Sequence, residues 1–318
     1  MSRLARKTAI LAKIETTYNT DPTPTGAANA VLISNPNYKF SAQNVDRALI
    51  HEYLGGAEQL VGAAFAEATF DVELQSSGAA GTAPAYGPLL RACGFAETVS
   101  AGARVEYTPV SASFESVTIY YYADGALRKL TGARGSFKLG LGLGNRPTIN
   151  FRFIGIDGGV TAAANPSQTL TAWKTPAVIT EANTADLLLG CTYATGALSG
   201  GTAYPSKGID IDSGIAVNHV PLLGGEAVDI TDRSVIAKIS LDLTAAQEVT
   251  FMATVKANTT QSIGLQHGST AGSKVIVYAP AMQLINPVDE EYNGRLLNGF
   301  DARLVPSAGN DELRLVVL

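Results

Sequence analysis

The chain has 318 residues and a net charge of −5, with 46% apolar and only 16% charged residues, against a usual charged share of about 25%. The acidic balance excludes duplex DNA binding through a basic face, and two distant cysteines, Cys93 and Cys191, exclude a disulfide framework and read as small buried apolar residues. No run approaches the roughly 18 apolar residues of a membrane span, so the expectation is a protein that is cytosolic where it is made, its charge-poor surface covered by copies of itself.

In chain order, residues 1–30 read as an arm, with Pro22 and Pro24 interrupting regular structure. Its basic start is followed by an apolar stretch too short for a secretory leader, broken by Lys13 and Glu15. A first β unit spans 31–159. It opens with a strand near Val31, followed by a long loop over 43–62 that holds Asp46, Arg47, His51 and Glu52. Long loops inside compact domains are commonly functional or contact a partner. Ala68–Leu74 alternates apolar and polar residues, the mark of a half-buried strand. A short helix follows within 83–95, with Leu89, Leu90 and Cys93 on one face and Gly94 as its stop. Strands are predicted at Arg104–Pro109, Ser116–Tyr122, Leu127–Leu130, Ala133–Leu143 and Thr148–Ile156, with a hairpin signal at Asp124-Gly125.

Residues 160–206 are rich in Ala, Thr, Gly and Pro. They read as a loop-rich connector with strands at Thr175–Ile179 and Asp186–Thr192, packed against one unit by Trp173. The second β unit spans 207–318. Its alternating strand Ile236–Leu243 precedes a helix over about 245–257, a hairpin of Ser262–His267 with Ser273–Ala279, and strands at Arg295–Val305 and Glu312–Leu318. The order strand, long loop, strand, helix, hairpin, strands therefore recurs in both halves, with Leu74 matched to Leu243 and Leu139 to Leu284. Such internal repetition sets the architecture before any motif is considered. The fold class is mainly β: two related β-sandwich or barrel units, each with a short flanking helix, joined by the connector.

Catalytic signatures are missing: no nucleophile elbow, Walker loop or zinc-binding helix occurs. The alternating glycines at Gly140, Gly142 and Gly144 have the wrong spacing for a dinucleotide loop, and mark a strand approached closely by backbone. His51, His219 and His267 show no metal-ligand spacing. Asp71 with Glu73, and Asp210 with Asp212, share a strand face and read as solvated carboxylates rather than calcium ligands. The expectation is a protein with no enzymatic activity and no cofactor or metal.

Four segments resemble the tail tube (major tail) proteins of long-tailed bacteriophages: 6–25 (RKTAILAKIETTYNTDPTPT), 83–95 (APAYGPLLRACGF), 130–135 (LTGARG) and 307–313 (SAGNDEL). The resemblance implies a structural virion protein that self-assembles into stacked rings, the conduit for genome delivery. It also implies β-sandwich domains whose inner sheets join across subunits, and a long loop and terminal arm that reach the next ring. Two tube-like units per chain would let a trimer form a pseudo-sixfold ring; a hexamer with one unit lining the lumen is the alternative. Expected partners are the chain itself and the tape measure, terminator and distal tail proteins, with DNA passing through the lumen without specific binding. The polar alternates Asp71, Glu73, Ser240 and Asp242 are candidates to face that lumen, which would be acidic and repel phosphate. Tyr18, Asp46, Arg47, His51 and Glu52 are candidates for ring-to-ring contact. A non-catalytic carbohydrate- or surface-binding β-sandwich is the alternative function.

Overall fold

A computed structural model describes residues 2–318. The chain is mainly β, with nineteen strands and two helices among the described residues. Seventeen strands share one sheet network; the other two form a separate hairpin.

The first half comprises β1 (Thr8–Ile14), β2 (Ala30–Val31), β3 (Ser34–Val45), β4 (Leu60–Glu73), α1 (Gly87–Ala92), β5 (Phe95–Ser100), β6 (Arg104–Pro109), β7 (Val117–Ala123), β8 (Ala126–Gly142) and β9 (Thr148–Ala162). The second comprises β10 (Leu187–Ala194), β11 (Ala197–Tyr204), β12 (Ser206–Asp212), β13 (Ile215–Leu222), β14 (Gly225–Arg233), β15 (Ile236–Leu241), α2 (Ala245–Lys256), β16 (Thr260–His267), β17 (Val275–Tyr292), β18 (Arg295–Val305) and β19 (Arg314–Val317).

Strand pairing repeats between the halves. The antiparallel order β2-β1-β7-β8-β9-β4-β3 is matched by β11-β10-β16-β17-β18-β15-β12. The buried alternates Ala68, Phe70 and Val72 lie opposite Phe153, Phe151 and Ile149. Their counterparts Ala237, Ile239 and Leu241 lie opposite Ala302, Phe300 and Asn298. A bulge falls at the same place in β3 and β12, with Asn35 at φ +51° and Gly208 at φ +94°. Carried through these ladders, Leu284 takes the place of Gly135 rather than Leu139, because β17 bulges beyond Ile285 where β8 bulges before Arg134.

Both segments set apart by their loop-like composition carry strands of this pattern. Within 1–30, β1 pairs along β7, and Ile10 and Leu11 are buried. The buried Glu15 carboxylate anchors the end of β1. It accepts from the Ser116 hydroxyl at 2.7 Å, the Thr118 hydroxyl at 2.6 Å, and the backbone N–H groups of Gly132 and Asn19 at 2.7 Å each. Within 160–206, β10 and β11 take the places of β1 and β2. Thr175–Ile179 is not a strand; Pro176 cannot donate to a ladder, although Ile179 is buried and exchanges backbone hydrogen bonds with the Gly144–Asn145 turn. Trp173 does pack the connector onto the first half: its indole N–H donates to the Ala30 carbonyl at 2.9 Å, and its ring lies 6.5 Å from Tyr86.

The helices follow their sequence signals. Pro88 opens α1 and Gly94, at φ +76°, ends it, while Leu89, Leu90 and Cys93 are buried. A reciprocal capping box between Thr244 and Gln247 starts α2, satisfying two otherwise orphaned donors. Phe251 seats this helix against Tyr204 and Phe300.

The halves are fused rather than tethered. β12 pairs with β8 as well as with β15, and β19 pairs with both β17 and β6. One hydrophobic core runs through both, from Phe70 and Phe151 to Ile239 and Leu284.

Candidate assembly surfaces

The strands β3-β4-β9-β8-β12-β15-β18-β17 form a continuous antiparallel run of eight. Alternation sends one set of side chains from every strand into the core and the other set to a single open face. Asp71, Glu73, Ser240 and Asp242 all project to that open side, and the two pairs are repeat equivalents, since Phe70 and Val72 match Ile239 and Leu241.

The open face is not uniformly acidic. Asp71 accepts from the amides of Asn35 at 2.7 Å and Asn150 at 2.5 Å. Glu73 pairs with Arg146 at 3.0 Å and Glu67 with Arg152 at 2.6 Å. Lys138 meets Asp212 at 2.8 Å across the joint between the halves. Ser240 donates to Glu290 at 2.8 Å, and Asp242 pairs with Arg295 at 2.8 Å. Carboxylates and cations thus alternate across this face, and most of its carboxylates have a cationic or amide partner. The alternating glycines of β8 sit at the joint: Gly140 and Gly142 stand opposite Asp210 and Gly208 of β12.

Two strand edges of this sheet are unpaired among the described residues. β3 has β4 on one side only, and the 288–292 part of β17 has β18 on one side only. The opening strand expected near Val31 covers the first of them, although β3 runs on to Val45, into the stretch expected to be loop. Sequence patterning missed the second, where Asp289, Glu290 and Glu291 give no apolar alternation. The usable signal was the match between Asn35 and Gly208, two residues tolerant of positive φ at one bulge.

Asp46, Arg47, His51 and Glu52 sit together on the loop that joins β3 to β4. There Arg47 pairs with Glu58, Gln59 donates to Asp46 at 2.5 Å, and His51 stacks on Tyr53 at 5.2 Å. The same stretch exposes Phe40, Val45, Ile50, Leu54, Leu60 and Val61. Tyr18 stands apart from these four. Its hydroxyl accepts from the Val228 backbone N–H at 2.7 Å and its ring lies 4.9 Å under the Arg134 guanidinium, so it is committed within the chain.

No group of three or more His, Cys, Asp or Glu side chains could hold a metal ion among the described residues. His267 is buried, which lowers its pKa; its ring meets the Thr184 hydroxyl at 2.8 Å and the Ala177 carbonyl at 3.2 Å. Burial raises both cysteine thiols, away from the reactive thiolate range. No helix is long and apolar enough to cross a membrane among the described residues. What the arrangement offers is a wide polar face, two open edges and an apolar projecting loop, the equipment for extending a sheet between molecules.

The family model for phage tail tube proteins matches residues 5–306, nearly the whole chain. No curated protein matches it.

Proposed function

The chain belongs to the phage tail tube protein family, a structural component of the virion tail, and from that premise we propose that three copies close into one ring of a stacked tube. The observation that carries this reading is the β8–β12 ladder. Two copies of one strand pattern are already joined edge to edge inside the chain, and the outer edges of the joined sheet are left open. Joining the open edge of β3 to the open edge of β17 on the next copy repeats that joint between molecules. By equivalence with Asp212–Lys138, Asp210–Gly140 and Gly208–Gly142, Lys39 would stand opposite the next copy's Val288, Asn37 opposite Glu290 and Asn35 opposite Tyr292.

Three chains of eight strands then form a closed barrel of six repeats, with no edge left to recruit stray strands. The open face becomes the lumen, lined by Asp71, Glu73, Ser240 and Asp242 among paired cations. A lining whose positive charges are matched by carboxylates gives DNA phosphates no continuous cationic track to bind, so the genome passes without sticking. The ends of the tube meet the other tail components: the tape measure inside, and the terminator and distal tail proteins at the tips.

Electron microscopy of tubes assembled from the purified chain, with mass measured per ring, tests this. Three chains per ring with approximate sixfold density is the expected result. Six chains per ring, or protein dispersed at every concentration, overturns it.

A further inference from the structure

The two repeats differ most between their third and fourth strands. In the second half, β12 leads through Gly214 into the separate β13–β14 hairpin before β15. In the first half, β3 and β4 run on past the sheet as their own hairpin, from Ser41–Phe65 to Val45–Leu60, capped by residues 46–59. Both projections leave the sheet at the same place, since Ser213 and Phe40 are equivalent by the shared bulge.

The second projection is docked. Arg134 of β8 donates to the Val228 carbonyl at 2.7 Å and pairs with Asp229 at 3.0 Å. His219 packs on Phe65 at 5.1 Å. Ile215, Val217 and Val228 are buried in the common core. At its root Ser213 is fully buried, and its hydroxyl accepts from the Phe137 backbone N–H at 3.0 Å. The hairpin of the second repeat is therefore a clasp over β8 and β9 of the first. The first projection has no such seat: Phe40, at the place of buried Ser213, is half exposed, and Ile50 and Leu54 are fully exposed. A run of exposed apolar side chains this dense marks a surface that is covered in the assembled state.

We propose that the β3–β4 projection, residues 40–65, clasps the second half of the neighbouring copy within the same ring, over β17 and β18, as β13–β14 clasps β8 and β9 within the chain. The inference rests on the ring reading above. It assigns Asp46, Arg47, His51 and Glu52 to a lateral contact, not to the ring-to-ring contact that the family resemblance implied. The seat is fixed by equivalence: Gln283 takes the place of Arg134, and Arg303 and Val305 take the places of Ile154 and Ile156. Arg303 is exposed there, and the carboxylates of Asp46 and Glu52 are the complement it lacks among the described residues, as Asp229 is for Arg134. Leu60 takes the place of Asp229 and so lies over the neighbour's Gln283.

The test is a double variant, Leu60→Cys with Gln283→Cys, treated in assembled tubes with a short bis-maleimide. Cys93 and Cys191 are buried, so wild-type tubes are the silent control. A lateral clasp gives covalent products that stop at the closed ring, a trimer on a denaturing gel. Products that climb past the ring size place the contact between rings and overturn the inference, as does the absence of products above the wild-type background. Saturation at a hexamer keeps the clasp and overturns the three-chain ring, so the two failures are told apart.

Discussion

The hairpins β13–β14 and β3–β4 arise at the same point of one repeated pattern and end in opposite circumstances. The first buries Ile215, Val217 and Val228 against its own chain; the second leaves Phe40, Val45 and Leu60 in solvent. The same contrast holds for the strands beneath them: β12 is paired on both sides and β3 on one. An internal repeat lets a chain satisfy one copy of an interface in cis while the other stays open. The closed copy then serves as a template for the open one, and its physical chemistry can be measured on the monomer.

Matched substitutions in the two hairpins give the largest expected effect. Val228→Asp puts a carboxylate into a core with no partner prepared for it, and should cost about 4 kcal/mol or more of monomer stability. Val45→Asp should leave the melting temperature of the monomer unchanged and abolish tubes. Thermal melts followed by microscopy read both. A Val45→Asp chain that still polymerises to normal tubes would break the comparison, because the exposed hairpin would then have no assembly role.

A smaller effect comes from the bulge. At Gly208, φ is +94°, and an added Cβ would lie 2.0 Å from the Leu141 carbonyl oxygen. Gly208→Ala thus combines left-handed backbone strain with a clash inside the β8–β12 joint, and should cost about 2–4 kcal/mol. Asn35→Ala meets the backbone strain alone and loses a hydrogen bond to Asp71, so about 1–2 kcal/mol is expected. Chemical denaturation gives both values. Equal costs would mean that the β12 joint is no tighter than a free edge.

Much of this plan was legible in the sequence because alternation and caps act locally. Ala68–Leu74 and Ile236–Leu243 announced their strands, Gly94 and Thr244 their helix ends, and Asp124-Gly125 its turn. The polar alternates Asp71 and Ser240 fell at equivalent places because one period governs both strands. What was hidden depends on distant partners. β1 looked like part of a loose arm because its neighbours Ser116, Thr118 and Gly132 lie about a hundred residues away along the chain. The connector showed β10 through its leucines at Asp186–Thr192, but concealed β11, whose Ala, Ser, Gly and Thr offer few large apolar side chains. The cations of the open face were hidden for the same reason: Arg152 and Lys138 come from other strands than the carboxylates they pair with, and Arg146 from the β8–β9 turn.

The smallest effect separates the two seams that fuse the halves. The β8–β12 seam is made mainly of backbone ladder and buried aliphatic side chains, with the half-exposed Lys138–Asp212 pair at one end, whereas β6–β19 is organised around Glu106. That carboxylate accepts from Arg314 and Tyr193, each at 2.8 Å, and from Arg104. Burial alone would raise its pKa, but the hydrogen bonds from Arg104 and Tyr193 and the charge of Arg314 outweigh burial and hold it below the usual glutamate range. A carboxyl group with a depressed folded-state pKa contributes stability that is present above its unfolded pKa and is lost as the pH falls through the folded one. Wild type should therefore exceed Glu106→Gln by about 1–2 kcal/mol at neutral pH, and the two should converge as the pH falls below about 4. Denaturation curves over that range read the difference, and a gap that stays constant with pH would mean that the Glu106 charge does not hold the second seam.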